Sequence, residues 1–245
     1  MREDIQLANT TNERPLRTVD NIEVTLTRQE IEEVLTDPAH TADDVIRLFS
    51  KDFGHLFMQS AGTIQGYTLG KHTRLVLNQF HKYFKKTTYP EGIDNVFFET
   101  LLALHDIGKP DAHIAGEVEN QYEYHLVYFQ EILPRLGFTE KQIAVAKSLI
   151  GGDPIREYLY KNRTGADSAV VSITAKAAEA GMVVKDFWFM LKLMWMCDAG
   201  SYTVDAGGHA ELDRMFEFEP DEGEMNLAPH IQKYFDVLEQ KLGLV

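Results

Sequence analysis

Residues Leu101–Pro110 read LLALHDIGKP. Val96, Phe97, Leu101, Leu102 and Leu104 fall on a helical period, so the spacing predicts a helix from about Ile93 to Asp106. Gly108 and Pro110 follow at once as stop signals. The run therefore ends in His105 and Asp106, side by side. An apolar helix has no packing use for two such groups, and a carboxylate buried there without a partner is costly. Imidazole and carboxylate together make a ligand set for a divalent transition metal. Adjacent residues on a helix diverge by about 100°, yet at a helix end both side chains can turn toward one ion.

Outward from this stretch the chain reads as helix after helix. Thr27 with Glu30, and Thr139 with Gln142, are capping-box patterns, and Thr41 opens a further helix carrying Val45, Leu48, Phe49 and Phe53. Helices are expected over about Lys71–Lys85, Val118–Leu136, Thr139–Ile150, a short piece from Pro154, an alanine-rich segment ending at Gly181, Val183–Ala199 and Ala228–Leu242. SAGTIQGYTLG reads as a glycine-rich loop and FEFEPDEGE as a solvated acidic loop. No segment gives a convincing strand, and no repeat or low-complexity linker divides the chain. The expectation is an all-α protein, a single helical bundle of about nine or ten helices. Residues 1–60 form an N-terminal extension packed on a core of residues 61–245, and the first ~20 residues read as a polar arm.

Composition narrows the partners. A net charge of −14 argues against a nucleic-acid polymer, which needs a field of Lys and Arg, and against an anionic membrane surface. A local basic pocket for a small phosphate ester stays compatible with it. The single cysteine, Cys197, allows no intramolecular disulfide and sits in the apolar run FWFMLKLMWMC as an expected buried thiol. The polar start MREDIQLANTTNERP has no apolar leader pattern, and no stretch approaches 18 consecutive apolar residues, so the expected location is the cytoplasm. Oligomeric state is left open.

Two further places carry the chemistry of His105-Asp106. His72 lies near a helix start in LGKHTRLV, and Asp198 ends the most apolar helix in WMCDAG. By residue type alone each is readable as a ligand or as a satisfied core or surface group. The arrangement of GKH, then HDIGK, then a distant buried Asp, in a helical chain, resembles the HD-domain superfamily of metal-dependent phosphohydrolases. The spacings are 105 − 72 = 33 and 198 − 106 = 92 residues, and the resemblance covers about Tyr67 to Thr203.

The resemblance implies a metal held by His72, His105, Asp106 and Asp198. It implies hydrolysis of a small phosphate ester, a nucleotide or cyclic nucleotide, by water activated at the metal. Asp106 takes the proton and Lys109 stabilises the phosphoryl group. Manganese, iron, cobalt, nickel or zinc suits the mixed ligand set, with magnesium a weaker second ion. Two-metal members add histidines. His125, in NQYEYHLVYFQ, stands where the first often falls, but Gly151-Gly152-Asp153 occupies the place of the second, so one metal per chain is expected. His125 is open between ligand, phosphate contact and ordinary helix residue. Arg156, Lys161 and Arg163 in DPIREYLYKNR either bind an anionic substrate, with Tyr158 and Tyr160 stacking on a base, or form a plain polar surface. His113 is a weaker candidate, and His55 and His81 read as structural. The alternatives are a di-iron oxygenase, which needs a fuller histidine set, and a non-catalytic module keeping the fold.

Overall fold

The computed structural model describes residues 22–62, 66–160 and 164–245. Among these residues the chain is all-α apart from one small hairpin. The helices are α1 (Arg28–Leu35), α2 (Ala42–Phe57), α3 (Leu69–Gln79), α4 (Asn95–Leu104), α5 (Lys109–Ile114), α6 (Gln121–Arg135), α7 (Glu140–Ile150), α8 (Pro154–Tyr160), α9 (Ala166–Glu179), α10 (Val184–Gly200) and α11 (Pro229–Lys241). All but α5 and α8 have eight residues or more, in keeping with the expected number.

Local chemistry sets the helix starts. Thr27, Thr41 and Thr139 each accept from the backbone N–H three residues on, while Glu30, Asp44 and Gln142 bond back to the cap. Thr68 caps α3 by accepting from the Lys71 N–H. Pro110 has a role the sequence reading did not give it. It lies in the first turn of α5, where its missing N–H costs nothing, so it starts a helix as well as ending one.

One continuous hydrophobic core joins α1 and α2 to the rest, with Phe49, Phe53, Phe80, Phe97, Phe98, Phe129, Phe187 and Phe235 fully buried within it. α3 packs against α2, α4 and α10. Gly70 lets α3 come close to α2, since a methyl there would lie 3.1 Å from both Cβ and the carbonyl oxygen of Phe57. Beyond Gln79, α3 widens into a π-helical turn over Phe80–Phe84. Cys197 is buried, as expected.

The acidic segment expected as a loop is instead an antiparallel hairpin of β1 (Phe216–Glu219) and β2 (Glu224–Leu227), with Phe216 opposite Leu227 and Phe218 opposite Met225. Its charged residues alternate with apolar ones. One face is acidic and exposed, and the other lays Phe216 against Trp195 and Phe218 against Tyr83. Among the described residues no helix is long and apolar enough to cross a membrane.

Candidate metal centre

Three helices bring four side chains together. His72 comes from the first turns of α3, His105 and Asp106 from the end of α4, and Asp198 from the last turn of α10. One ligand atom from each lies within 4.8 Å of all the others. His72 Nε2 is 3.1 Å from Asp106 Oδ2 and 3.1 Å from Asp198 Oδ1. His105 Nε2 is 3.4 Å and 3.7 Å from the same two oxygens. These contacts are close but not aligned as hydrogen bonds. His72 Nε2, His105 Nε2 and Asp198 Oδ1 are all buried with no hydrogen-bond partner. They point to a shared centre rather than at one another, and an orphaned set of this composition fits a divalent transition metal.

The tautomers of the two imidazoles agree with that fit. His105 Nδ1 is 2.7 Å from the Leu102 carbonyl, which only accepts, so Nδ1 carries the hydrogen and Nε2 presents a lone pair. Ser201 Oγ donates to the Asp198 carbonyl at 2.6 Å and therefore accepts from His72 Nδ1 at 3.4 Å, which leaves His72 Nε2 a lone pair as well. Ser201 is fully buried, and it is a residue that sequence reasoning missed. The available signal was its place three residues after Asp198, one helical turn on.

His125 is arranged the opposite way. The Gly108 N–H donates to its Nδ1 at 3.1 Å, so Nε2 carries the hydrogen. Burial pushes its pKa down to about 3 and keeps the ring neutral. Nε2–H, 3.7 Å from Asp106 Oδ1, is also buried without a hydrogen-bond partner, and it faces the centre with a hydrogen rather than a lone pair. Asp153 lines the cleft but is not part of the four-residue group. Its Oδ1 accepts from the Arg156 N–H at 2.9 Å and caps α8. Burial raises its pKa to about 6.

The charges of the centre are coupled. Burial disfavours the His105 imidazolium, but the carboxylates of Asp106 and Asp198 outweigh it and lift the pKa to about 10. Burial would also raise the Asp106 carboxyl, yet the positive charges of His105 and Lys109 hold it well below the usual carboxylate range. Asp198 is held low in the same way by His105 and His72. Without an ion, positive charge on the imidazoles offsets the two carboxylates, and a divalent cation would do the same in place of the protons. Lys109 is the first residue of α5. Its Nζ hydrogen-bonds to Asp106 Oδ2.

A cleft opens beside the centre, with about 530 Å³ of space counted together with the solvent at its mouth. His105, Asp106 and Asp198 form its floor, and Lys109, His125 and Arg156 supply donors. Tyr122, Trp195, Met194, Leu149, Ile150 and Leu191 make a largely apolar wall. Tyr122 and Trp195 were not singled out from the sequence. Tyr158, which was, packs edge-on against Tyr234 of α11 and does not line the cleft. Lys161 and Arg163 lie outside the described residues, as does the Tyr160 side chain. His113 and His55 are exposed and stand apart from the centre. Comparisons with family models, curated proteins and solved structures give no match.

Proposed function

We propose that this chain is a metal-dependent phosphohydrolase of the HD-domain type, acting on a small phosphate ester such as a nucleotide or cyclic nucleotide. One observation carries the reading. Buried, unpartnered His72 Nε2, His105 Nε2 and Asp198 Oδ1 converge with Asp106 at the floor of a cleft into which Lys109, His125 and Arg156 bring donors, with Asp153 at its wall. One divalent transition metal per chain, held by these four residues, would lower the pKa of a water molecule and polarise a phosphoryl group when bound.

The chain's own groups complete the reading. Asp106 Oδ1, on the side away from Lys109, is free to accept a proton from the attacking water. Lys109 Nζ offsets negative charge both on Asp106 and on the transferred group. His125 Nε2–H and Arg156 bind phosphoryl oxygens, and the Tyr122 and Trp195 rings accept the organic part of the ester. A donor at His125 Nε2 removes the one further imidazole beside the centre as a ligand for a second metal. This favours one metal over the di-iron oxygenase alternative. Four intact ligand positions favour an enzyme over a non-catalytic module.

The test is elemental analysis of the purified protein beside Asp106→Ala, followed by a nucleotide and phosphomonoester screen with the metal found. Asp106→Ala is expected to hold about one transition metal ion fewer per chain than the parent and to lose phosphate release. Loss of two irons per chain in Asp106→Ala, or metal content unchanged in it, overturns the reading.

A further inference from the structure

A second set of ligating side chains lies outside the cleft. Glu99 sits within α4 among Phe97, Phe98, Leu101 and Leu102, and only 1% of it is exposed. Two imidazoles meet it there. His40 Nε2, from the turn between α1 and α2, is 2.8 Å from Glu99 Oε1. His81 Nε2, from the π-helical turn after α3, reaches the same oxygen. The two rings stand nearly perpendicular, at 86° and 4.9 Å between centroids. One ligand atom of each residue lies within 4.8 Å of the other two.

The hydrogen bonds of His40 show what the contact needs. Its Nδ1 lies 2.5 Å from the Asp37 carbonyl oxygen, so Nδ1 carries the hydrogen. A neutral His40 therefore turns the Nε2 lone pair toward a carboxylate oxygen. Such a contact is repulsive unless a cation lies between the two. Lys85 does not supply it. Its Nζ bonds to the carbonyls of Pro38 and His40 and sits 3.4 Å from Nδ1, on the far side of the ring. The cation is then either a proton or a metal ion.

Two features favour the metal. Two imidazole nitrogens and one carboxylate are a zinc ligand set. His81 also stands on a π-helical turn, a rare backbone form that is frequent at functional sites, and its partly exposed side chain gives an entry path.

We propose that His40, His81 and Glu99 bind a second, separate divalent transition metal of the zinc type, clamping α4 to the π turn and to the α1–α2 connection. Glu99 precedes His105 by six residues, about 9 Å of helix rise, so the two centres are distinct. α3 and α4 also present His72 and His105-Asp106, so the clamp tethers the two helices that hold three of the four ligands of the first centre.

The test titrates metal-stripped protein with zinc chloride alone, following bound zinc and the melting temperature. The background is the His72→Ala/Asp106→Ala chain, in which the first centre is removed. This chain is expected to keep about one zinc. It should melt roughly 5–10 °C higher at a zinc concentration about 100 times Kd. Adding His81→Gln should weaken zinc binding at least about 100-fold. In the otherwise intact chain, His81→Gln and Glu99→Gln should each lower the zinc content by about one ion, with circular dichroism showing that helix content is kept. Cobalt substitution should give a visible absorption band that His81→Gln alters. If zinc binding and the melting response are unchanged by His81→Gln in both backgrounds, the proposal is overturned, and a proton holds the triad. If the intact chain binds zinc and the His72→Ala/Asp106→Ala chain binds none, this proposal fails while the first centre stands. If the zinc content is insensitive to His72→Ala/Asp106→Ala but falls in His81→Gln, the first centre fails instead.

Discussion

Replacing Gly108 by alanine tests the junction on which the first centre rests. Gly108 has φ −86° and ψ −6°, a conformation open to any residue, so backbone freedom does not require glycine there. Space does. A methyl group at Gly108 would lie 2.6 Å from the His125 nitrogen and the Tyr124 carbonyl carbon, and 2.7 Å from Tyr124 Cβ. These are atoms of the α6 backbone and its first side-chain carbon, and none can swing away. Ordinary contact begins near 3.4 Å, so α6 must retreat by 3.4 − 2.6 = 0.8 Å. That movement breaks the 3.1 Å bond from the Gly108 N–H to His125 Nδ1. Overpacking costs about 1–3 kcal/mol and the orphaned buried acceptor about 1–3 more. We expect a loss of about 3–4 kcal/mol, or about 6–16 °C in melting temperature for a chain of this size. The control is Gly165→Ala, where a methyl meets nothing within 4 Å and φ is −68°. At this helix N-cap the change should cost at most about 1 kcal/mol. Thermal and urea unfolding of the three proteins measures the difference, and imidazole ¹⁵N shifts report whether His125 keeps its Nε2 hydrogen. If Gly108→Ala melts within about 2 °C of the parent, the close approach of α6 to this turn is refuted.

Three further changes follow from the centre. Ser201→Ala removes the acceptor that orients His72, and should weaken metal binding about 10–100-fold with little change in helix content, as read by equilibrium dialysis. Asp153→Asn should stabilise the protein at neutral pH. Burial raises the folded-state pKa of Asp153 from 3.8 to about 6, so its stabilising contribution is present below about pH 4 and is lost as pH rises through 6. The asparagine keeps the neutral form and can still cap α8. The melting-temperature gap should therefore open between pH 4 and 7 and level off above, worth about 1–2 kcal/mol after allowance for partial exposure. A gap independent of pH would show that Asp153 ionises normally. Lys109→Ala should lower turnover of whichever phosphate ester the parent hydrolyses by about 100-fold while the metal content is kept; loss of the metal instead would make Lys109 a support of Asp106 alone.

Much of this fold was legible because its determinants are local. The three threonine caps sit where the sequence puts them, and the apolar period of Val184–Gly200 marks a buried helix without reference to anything else. The hairpin was missed for a physical reason. FEFE alternates with period two, but four residues of strand are too few to outweigh an acidic run until the partner strand supplies Met225 and Leu227. The centre was legible as residue types at plausible spacings, and the chain does bring His72, His105, Asp106 and Asp198 together. The cleft wall was not. Tyr122 and Trp195 lie 73 residues apart (195 − 122) on different helices, and only the packing of α6 and α10 beside the four converging side chains selects them over Tyr158. His40 and Glu99 carried no signal for the same reason, since they are 59 residues apart and meet only through a long-range contact.

The hydrogen bonds of the histidines sort their roles more finely than residue type can. His72, His105 and His125 crowd one buried space, and by composition all three are equal candidates for the metal. His105 is committed by a carbonyl, which can only accept, and His72 by a hydroxyl already donating elsewhere. His125 is committed the other way by a backbone N–H, which can only donate. That donor belongs to Gly108, the residue whose lack of a side chain lets α6 come within reach. The glycine in HDIGK thus does two jobs: it brings His125 to the cleft and fixes the ring as a hydrogen-bond donor. A second metal at His125 would require Nδ1 to take the hydrogen and face the Gly108 N–H, donor against donor, in a buried site. The cost of that clash, about 1–3 kcal/mol for each unmade buried bond, weighs against a two-metal centre unless the α5–α6 junction moves.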